Sequence, residues 1–212
     1  MNCRLKKEIF MIREACVENY DQAQIADRKG IERIELCDYL ECGGTTPSYG
    51  VIKKSIESIS IPIMVIIRPR SGNFIYNNNE IDIMLSDIRI CKELGAFGIV
   101  IGALTENKLI DEDATRRMID AARPMQVTFH KAFDEITDQQ AALATLISLG
   151  CDRVLTSGGK KTAQEGTERL KDLVQLAGDK ITILVAGRVT KDNLEELSAL
   201  IPAKEFHGRL IV

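Results

Sequence analysis

The stretch Gly30-Ile31-Glu32-Arg33-Ile34-Glu35-Leu36-Cys37 decides the fold. Its glycine follows the amphipathic run Tyr20–Lys29 and suits the left-handed residue that closes a helix. The chain then turns at once to a period of two. Ile34 and Leu36 suit a helix-facing side, while Arg33, Glu35 and Cys37 share the opposite face. Gly150-Cys151-Asp152-Arg153-Val154-Leu155-Thr156-Ser157 has the same order, and Gly95-Ala96-Phe97-Gly98-Ile99-Val100-Ile101-Gly102 has the same glycine and apolar pattern. The three lead into the second, fourth and sixth strands. Recurrence at every second unit fits a barrel with layered interior packing, although any helix–strand unit converges on this pattern.

Working outward, the strand candidates are Phe10–Cys16, Glu32–Cys37, Ile63–Arg68, Gly98–Ile101, Gln126–His130, Arg153–Thr156, Ile181–Val185 and Lys204–His207. Helical stretches separate them at Tyr20–Lys29, Ser48–Ser58, Asn79–Leu94, Asp111–Ala122, Asp138–Leu149, Ala163–Ala177 and Lys191–Leu200. Alternation of this kind implies βαβ units and a parallel sheet. An open doubly wound sheet would carry a glycine-rich phosphate loop after its first strand, and Glu14-Ala15-Cys16-Val17-Glu18-Asn19 is not one. The expected fold is therefore α/β, a (β/α)8 TIM-type barrel in one domain over residues 1–212. With Val212 five residues beyond His207, the final helix is expected to be lacking. The slot so left between the first and seventh helices predicts a homodimer or higher homo-oligomer.

Composition narrows the function. The 212 residues are 45% hydrophobic and 28% charged, with a formal net charge of −3. No basic field is available for nucleic acid or an acidic membrane, and no apolar run approaches a membrane span. Charges at Arg4, Lys6, Lys7 and Glu8 leave no room for the apolar core of a signal peptide. The expected compartment is the cytoplasm, with Cys3, Cys16, Cys37, Cys42, Cys91 and Cys151 as reduced thiols. No CxxC pair exists, which disfavours a zinc finger or a thioredoxin-type motif.

Chemistry is expected at the carboxyl ends of the strands, where barrels of this class carry their sites. Strand alternation turns Glu14 and Cys16 inward on the first strand and Arg33, Glu35 and Cys37 inward on the second. Buried carboxylates need partners. Glu14, Arg33 and Glu35 are expected to pair with one another or with Arg68 and Arg153, as a salt-bridged floor or as acid–base groups. Parallel strands lie roughly 4.8 Å apart, so Cys16 and Cys37 meet at the mouth. There they can hold a soft ion such as Cu(I), close a disulfide on oxidation, or simply pack as small apolar groups. Both histidines, His130 and His207, end strands. Asp134 can orient an imidazole, bind substrate hydroxyls or cap a helix. The turns Ser157-Gly158-Gly159 and Gly187-Arg188 offer backbone amides to an anion, and Arg68 and Arg70 add guanidinium groups that can clamp one.

Several segments, in order, resemble the CutC copper homeostasis family. They are Arg33–Cys37, Gly43-Gly44-Thr45-Thr46-Pro47-Ser48-Tyr49-Gly50, Ile67-Arg68-Pro69-Arg70-Ser71-Gly72-Asn73-Phe74, Thr128-Phe129-His130-Lys131-Ala132-Phe133-Asp134, Arg153–Gly158 and Glu205-Phe206-His207. The resemblance spans nearly the whole chain. It implies a (β/α)8 barrel, a cytoplasmic location and a role in copper homeostasis, with Cu(I) bound through cysteines. Cys16 and Cys37 match the positions of interest, and the other four cysteines do not. The turn after the seventh strand departs from the family's glycine-rich run, with Ala186-Gly187-Arg188 in its place. Two functions follow as expectations. One is a Cu(I)-binding protein. The other is an enzyme acting on a small anionic substrate, with Glu14, Glu35, His130, Asp134 and His207 as acid–base candidates. In the second, Arg68, Arg70, Ser157, Gly158, Gly159, Gly187 and Arg188 are the anion-binding candidates.

Overall fold

A computed structural model describes residues 11–212. Its strands, β1 (Ile12–Val17), β2 (Arg33–Leu36), β3 (Ile63–Ile66), β4 (Gly98–Ile101), β5 (Gln126–Phe129), β6 (Arg153–Thr156), β7 (Thr182–Val185) and β8 (Glu205–Gly208), pair in parallel and in chain order. β8 pairs with β1, and the barrel closes. The helices on the crossovers are α1 (Tyr20–Arg28), α2 (Tyr49–Ser58), α3 (Asn78–Leu94), α4 (Glu112–Ala122), α5 (Gln139–Leu149), α6 (Thr167–Ala177) and α7 (Leu194–Leu200). Among the described residues no helix follows β8, and Leu210 bridges to Thr190 instead. Phe10, Cys3 and the charged N-terminal stretch lie outside the described residues.

Local sequence sets the helix ends. Asn19, Ser48, Asn77, Asp111 and Asp138 each accept a backbone N–H of the following first turn, a cap contributing about 1 kcal/mol. Gly30, Gly95 and Gly150, the recurrent glycines, all take left-handed backbone, with φ of 69, 83 and 78°. The last two helices begin later than their periodicity predicts. The Ala163 N–H donates to the Gly187 carbonyl at 2.8 Å, which ties the residues before α6 to the loop after β7. Asn193 Oδ1 accepts from the Thr190 N–H at 2.8 Å, which holds a turn ahead of α7.

Alternate strand residues divide the interior. Ile34, Leu36, Val65, Ile99, Val127, Phe129, Val154, Val185 and Phe206 join the core between strands and helices. On the opposite face, two small apolar groups lie inside the barrel: Cys16, Cys37, Met64, Ile66 and Val100, and Leu155, Leu184 and Ala186. Gly98 makes room for Met64, because an added Cβ would stand 2.5 Å from its sulfur and 2.6 Å from the Gln126 carbonyl. We expect Gly98→Ala to destabilise the fold by about 1–3 kcal/mol. A lowered urea midpoint at unchanged slope would show it, and an unchanged midpoint would refute this packing.

Candidate functional site

The barrel floor is ionic. Arg33 bonds Glu14 through Nε and Glu205 through Nη2, and Arg153 Nε meets Glu205 at 3.0 Å. Arg153 also donates to Gln126 Oε1 at 3.0 Å. Glu14 is fully buried, which alone would raise its pKa. Arg33, and then His207, outweigh burial and hold it at about 2.

His207 links this floor to the mouth. Its Nδ1 lies 2.8 Å from Glu14 and its Nε2 3.4 Å from Glu35. Burial opposes a charge on this ring. The carboxylates of Glu35 and Glu14 and the Cys16 sulfur overcome burial and push its pKa well up. Burial, followed by the neighbouring Cys16 sulfur, drives the Glu35 carboxyl well above the carboxylate range. Burial thus works against ionisation at Glu35, while Arg33 and His207 favour it at Glu14.

Cys16 Sγ stands 3.9 Å from Cys37 Sγ. The strand register sets Glu35, not Cys37, opposite Cys16, so the sulfurs meet diagonally across the stagger. The Cys37 thiol hydrogen bonds to Cys16 and lowers the Cys16 pKa, and Cys37 is pushed up in turn. Cys16, Glu35 and Cys37 bring one ligand atom each to within 4.8 Å of one another, as do Glu14, Glu35 and His207. A cavity of about 210 Å3 lies over them, also lined by Leu155, Phe74 and His130.

His130 differs from His207. Burial, and next Arg68, lower its pKa to about 3. Its Nδ1 accepts the Ala132 N–H at 3.1 Å, so the neutral ring carries its proton on Nε2. Nε2 has no partner among the described residues. Phe74 packs on the ring at 4.7 Å between centroids.

Other expected site residues are engaged by the protein itself. Arg68 donates to the carbonyls of Cys42, Gly44 and Gly72. Arg70 pairs with Glu80 and also bonds the Asn73 side chain and the Ile75 carbonyl. Neither guanidinium pairs with Glu14 or Glu35. Asp134 orients no imidazole. Its carboxylate accepts from the Thr156 and Ser157 hydroxyls, from the Ser157 and Gly159 N–H groups, and from Lys131 at 3.1 Å. The Gly158 N–H donates to Thr156 Oγ1. The nest after β6 thus already holds a carboxylate of its own chain. Gly187 packs against Ser157 of that nest, and with Arg188 it lines a separate recess beside His207. Sequence reasoning missed Glu205, although the alternation that turns His207 inward also turns Glu205 inward.

The fold and this centre define a (β/α)8 barrel with a buried thiol pair above a carboxylate–imidazole network at the strand carboxyl ends. The profile of the CutC family matches residues 11–212, and the chain belongs to that family. It is 45% identical over 194 residues to the human copper homeostasis protein cutC homolog, covering 92% of this chain and 71% of that one. A CutC family protein of Histophilus somni is 47% identical over 194 residues, covering 92% and 80%. The crystal structure of CutC from Streptococcus agalactiae superposes with a TM-score of 0.91 at 39% identity, covering 95% of this chain and all of that one.

The two carboxyl groups should respond oppositely to amide substitution. Glu14→Gln leaves Arg33 and His207 short of an anion and should destabilise the fold by about 3–5 kcal/mol at pH 7. Since the folded pKa of Glu14 is about 2 against an ordinary 4.5, its contribution is complete above pH 4.5 and is lost as pH falls from there towards 2. The gap between wild type and Glu14→Gln should shrink over that window. The folded pKa of Glu35 is raised, so its contribution is complete below the ordinary value and is lost as pH rises. Glu35→Gln should therefore gain on wild type towards alkaline pH. Denaturation midpoints against pH measure both, and parallel curves would refute the assignment.

Proposed function

We propose that the protein binds Cu(I) through Cys16 and Cys37 and buffers or delivers it in the cytoplasm as part of copper homeostasis. The observation that carries this is the buried pair of sulfurs 3.9 Å apart. A disulfide would need about 2.05 Å. An ion making bonds of roughly 2.3 Å to each sulfur fits between them after a small shift. Thiolates select soft ions, Cu(I) among them. Relatives named for copper homeostasis at 45% identity support the same ion.

Anaerobic titration with Cu(I) against a competing chelator tests the reading. Wild type should bind one ion. Glu35→Gln, next to the sulfurs, should weaken it about 10-fold, and Cys16→Ser or Cys37→Ser by more than about 100-fold. Equally tight binding by the double serine variant would overturn the site.

We also infer self-association. Ile25 on α1, Leu200 on α7 and Leu210 beyond β8 are 50%, 41% and 69% exposed, on the elements flanking the β8–β1 seam. Sedimentation at micromolar concentration should report a dimer or larger species, and a monomer would refute this.

A further inference from the structure

Beside the thiol chamber lies a larger recess of about 510 Å3 over the ends of β7 and β8. Lys131, His207 and Arg209 line both, so the two share part of their walls. The recess carries Lys131, Lys161, Arg188 and Arg209, and among the described residues no carboxylate lines it. This is unexpected in a chain with 31 acidic and 28 basic residues. Lys131 is paired with Asp134. Among the described residues Lys161, Arg188 and Arg209 form no ion pair.

The backbone adds a second, independent observation. Arg188 has φ 58°, directly after Gly187 at 100°. A residue with a Cβ rarely adopts that conformation, and where it does the surrounding structure must hold it. Asn193 Nδ2 does so by donating to the Arg188 carbonyl at 2.9 Å. The neighbouring nest after β6 makes a contrast. There the chain supplies its own carboxylate, Asp134, to the waiting donors. No residue on the walls of the β7–β8 recess does the same for its cations.

We propose that this recess binds the phosphoryl or phosphonyl dianion of a small organic molecule, whose organic part passes His207 into the thiol chamber. Three cations without partners suit a dianion better than a single carboxylate, and the two guanidinium forks match tetrahedral oxygens. The inner chamber, with Leu155 and Phe74 on its walls and His130 beside them, takes the less polar end. This anion site does not depend on copper at the sulfurs.

Calorimetric titration of the metal-free protein with phenyl phosphate and with inorganic phosphate, at low ionic strength, tests the proposal. Phenyl phosphate should bind once, about 10-fold more tightly than inorganic phosphate. Lys161→Gln/Arg188→Gln/Arg209→Gln should weaken it by about 30-fold or more. Lys53→Gln/Lys92→Gln/Lys180→Gln, with the same change of net charge elsewhere, should not. Cys16→Ser/Cys37→Ser leaves the recess cations in place and should bind inorganic phosphate as wild type does, which separates this outcome from failure of the copper site. If the recess triple variant melts early, Arg188→Gln alone should still weaken binding about 5-fold. Absence of saturable binding, equal weakening in both triple variants, or equal affinity for the two phosphates would each overturn the proposal.

Discussion

The Glu14–Arg33 pair in the barrel floor is the contact on which the centre depends. Both side chains are buried, and neither charge is tolerable there without the other. Glu14 uses its second oxygen to hold His207 at 2.8 Å, and His207 in turn stands beside Glu35 and the sulfurs. The proton arrangement at the mouth is thus set from below. An anionic Glu14 favours an imidazolium at 207, the imidazolium favours a thiolate at Cys16, and the thiolate discourages ionisation of Glu35 and Cys37. The order of effects follows burial, because each charge in a dry interior must find its opposite before the next is admitted.

The same constraint explains what was legible in the sequence. A period of two, read against the apolar residues between, is enough to turn Glu14, Cys16, Arg33, Glu35, Cys37, His130 and His207 inward, because a strand has only two faces. Closure of the barrel was legible from the order of the elements and the glycines that end the helices. Pairing was not. Arg68 and Arg153 look equivalent along the chain, yet Arg153 joins the floor through Glu205, while Arg68 is surrounded by the carbonyls of its own and a neighbouring loop. Backbone carbonyls have no letter in a sequence, so a guanidinium that they satisfy reads as a free one. Asp134 was misleading for a related reason. Its hydroxyl partners, Thr156 and Ser157, lie over twenty residues away at the end of β6 and just beyond it, and only the tertiary fold brings them together.

The diagonal of the two cysteines was hidden in register. Adjacent strands place them side by side in any alternation, but a closed barrel must stagger its strands. Here the stagger sets Glu35 level with Cys16 and lifts Cys37 above it. The consequence is chemical. The diagonal sets Glu35 level with Cys16 and makes the two sulfurs inequivalent: the pKa of Cys16 is lowered and that of Cys37 is raised.

The late loops divide the working face by how each satisfies its donors. After β6, Asp134 fills the nest and Lys131 balances Asp134, so that loop is closed to outside charge. After β7 and β8, the cations line a recess with no carboxylate on its walls among the described residues, and one of them is held in a left-handed turn. Like charges gathered round a recess repel one another, and Asn193 holds one of them, Arg188, by donating to its backbone carbonyl. The thiol centre is the reverse case, a set of buried charges already balanced among themselves. The recess favours the addition of negative charge, and His207 and Arg209 stand on the boundary of the two.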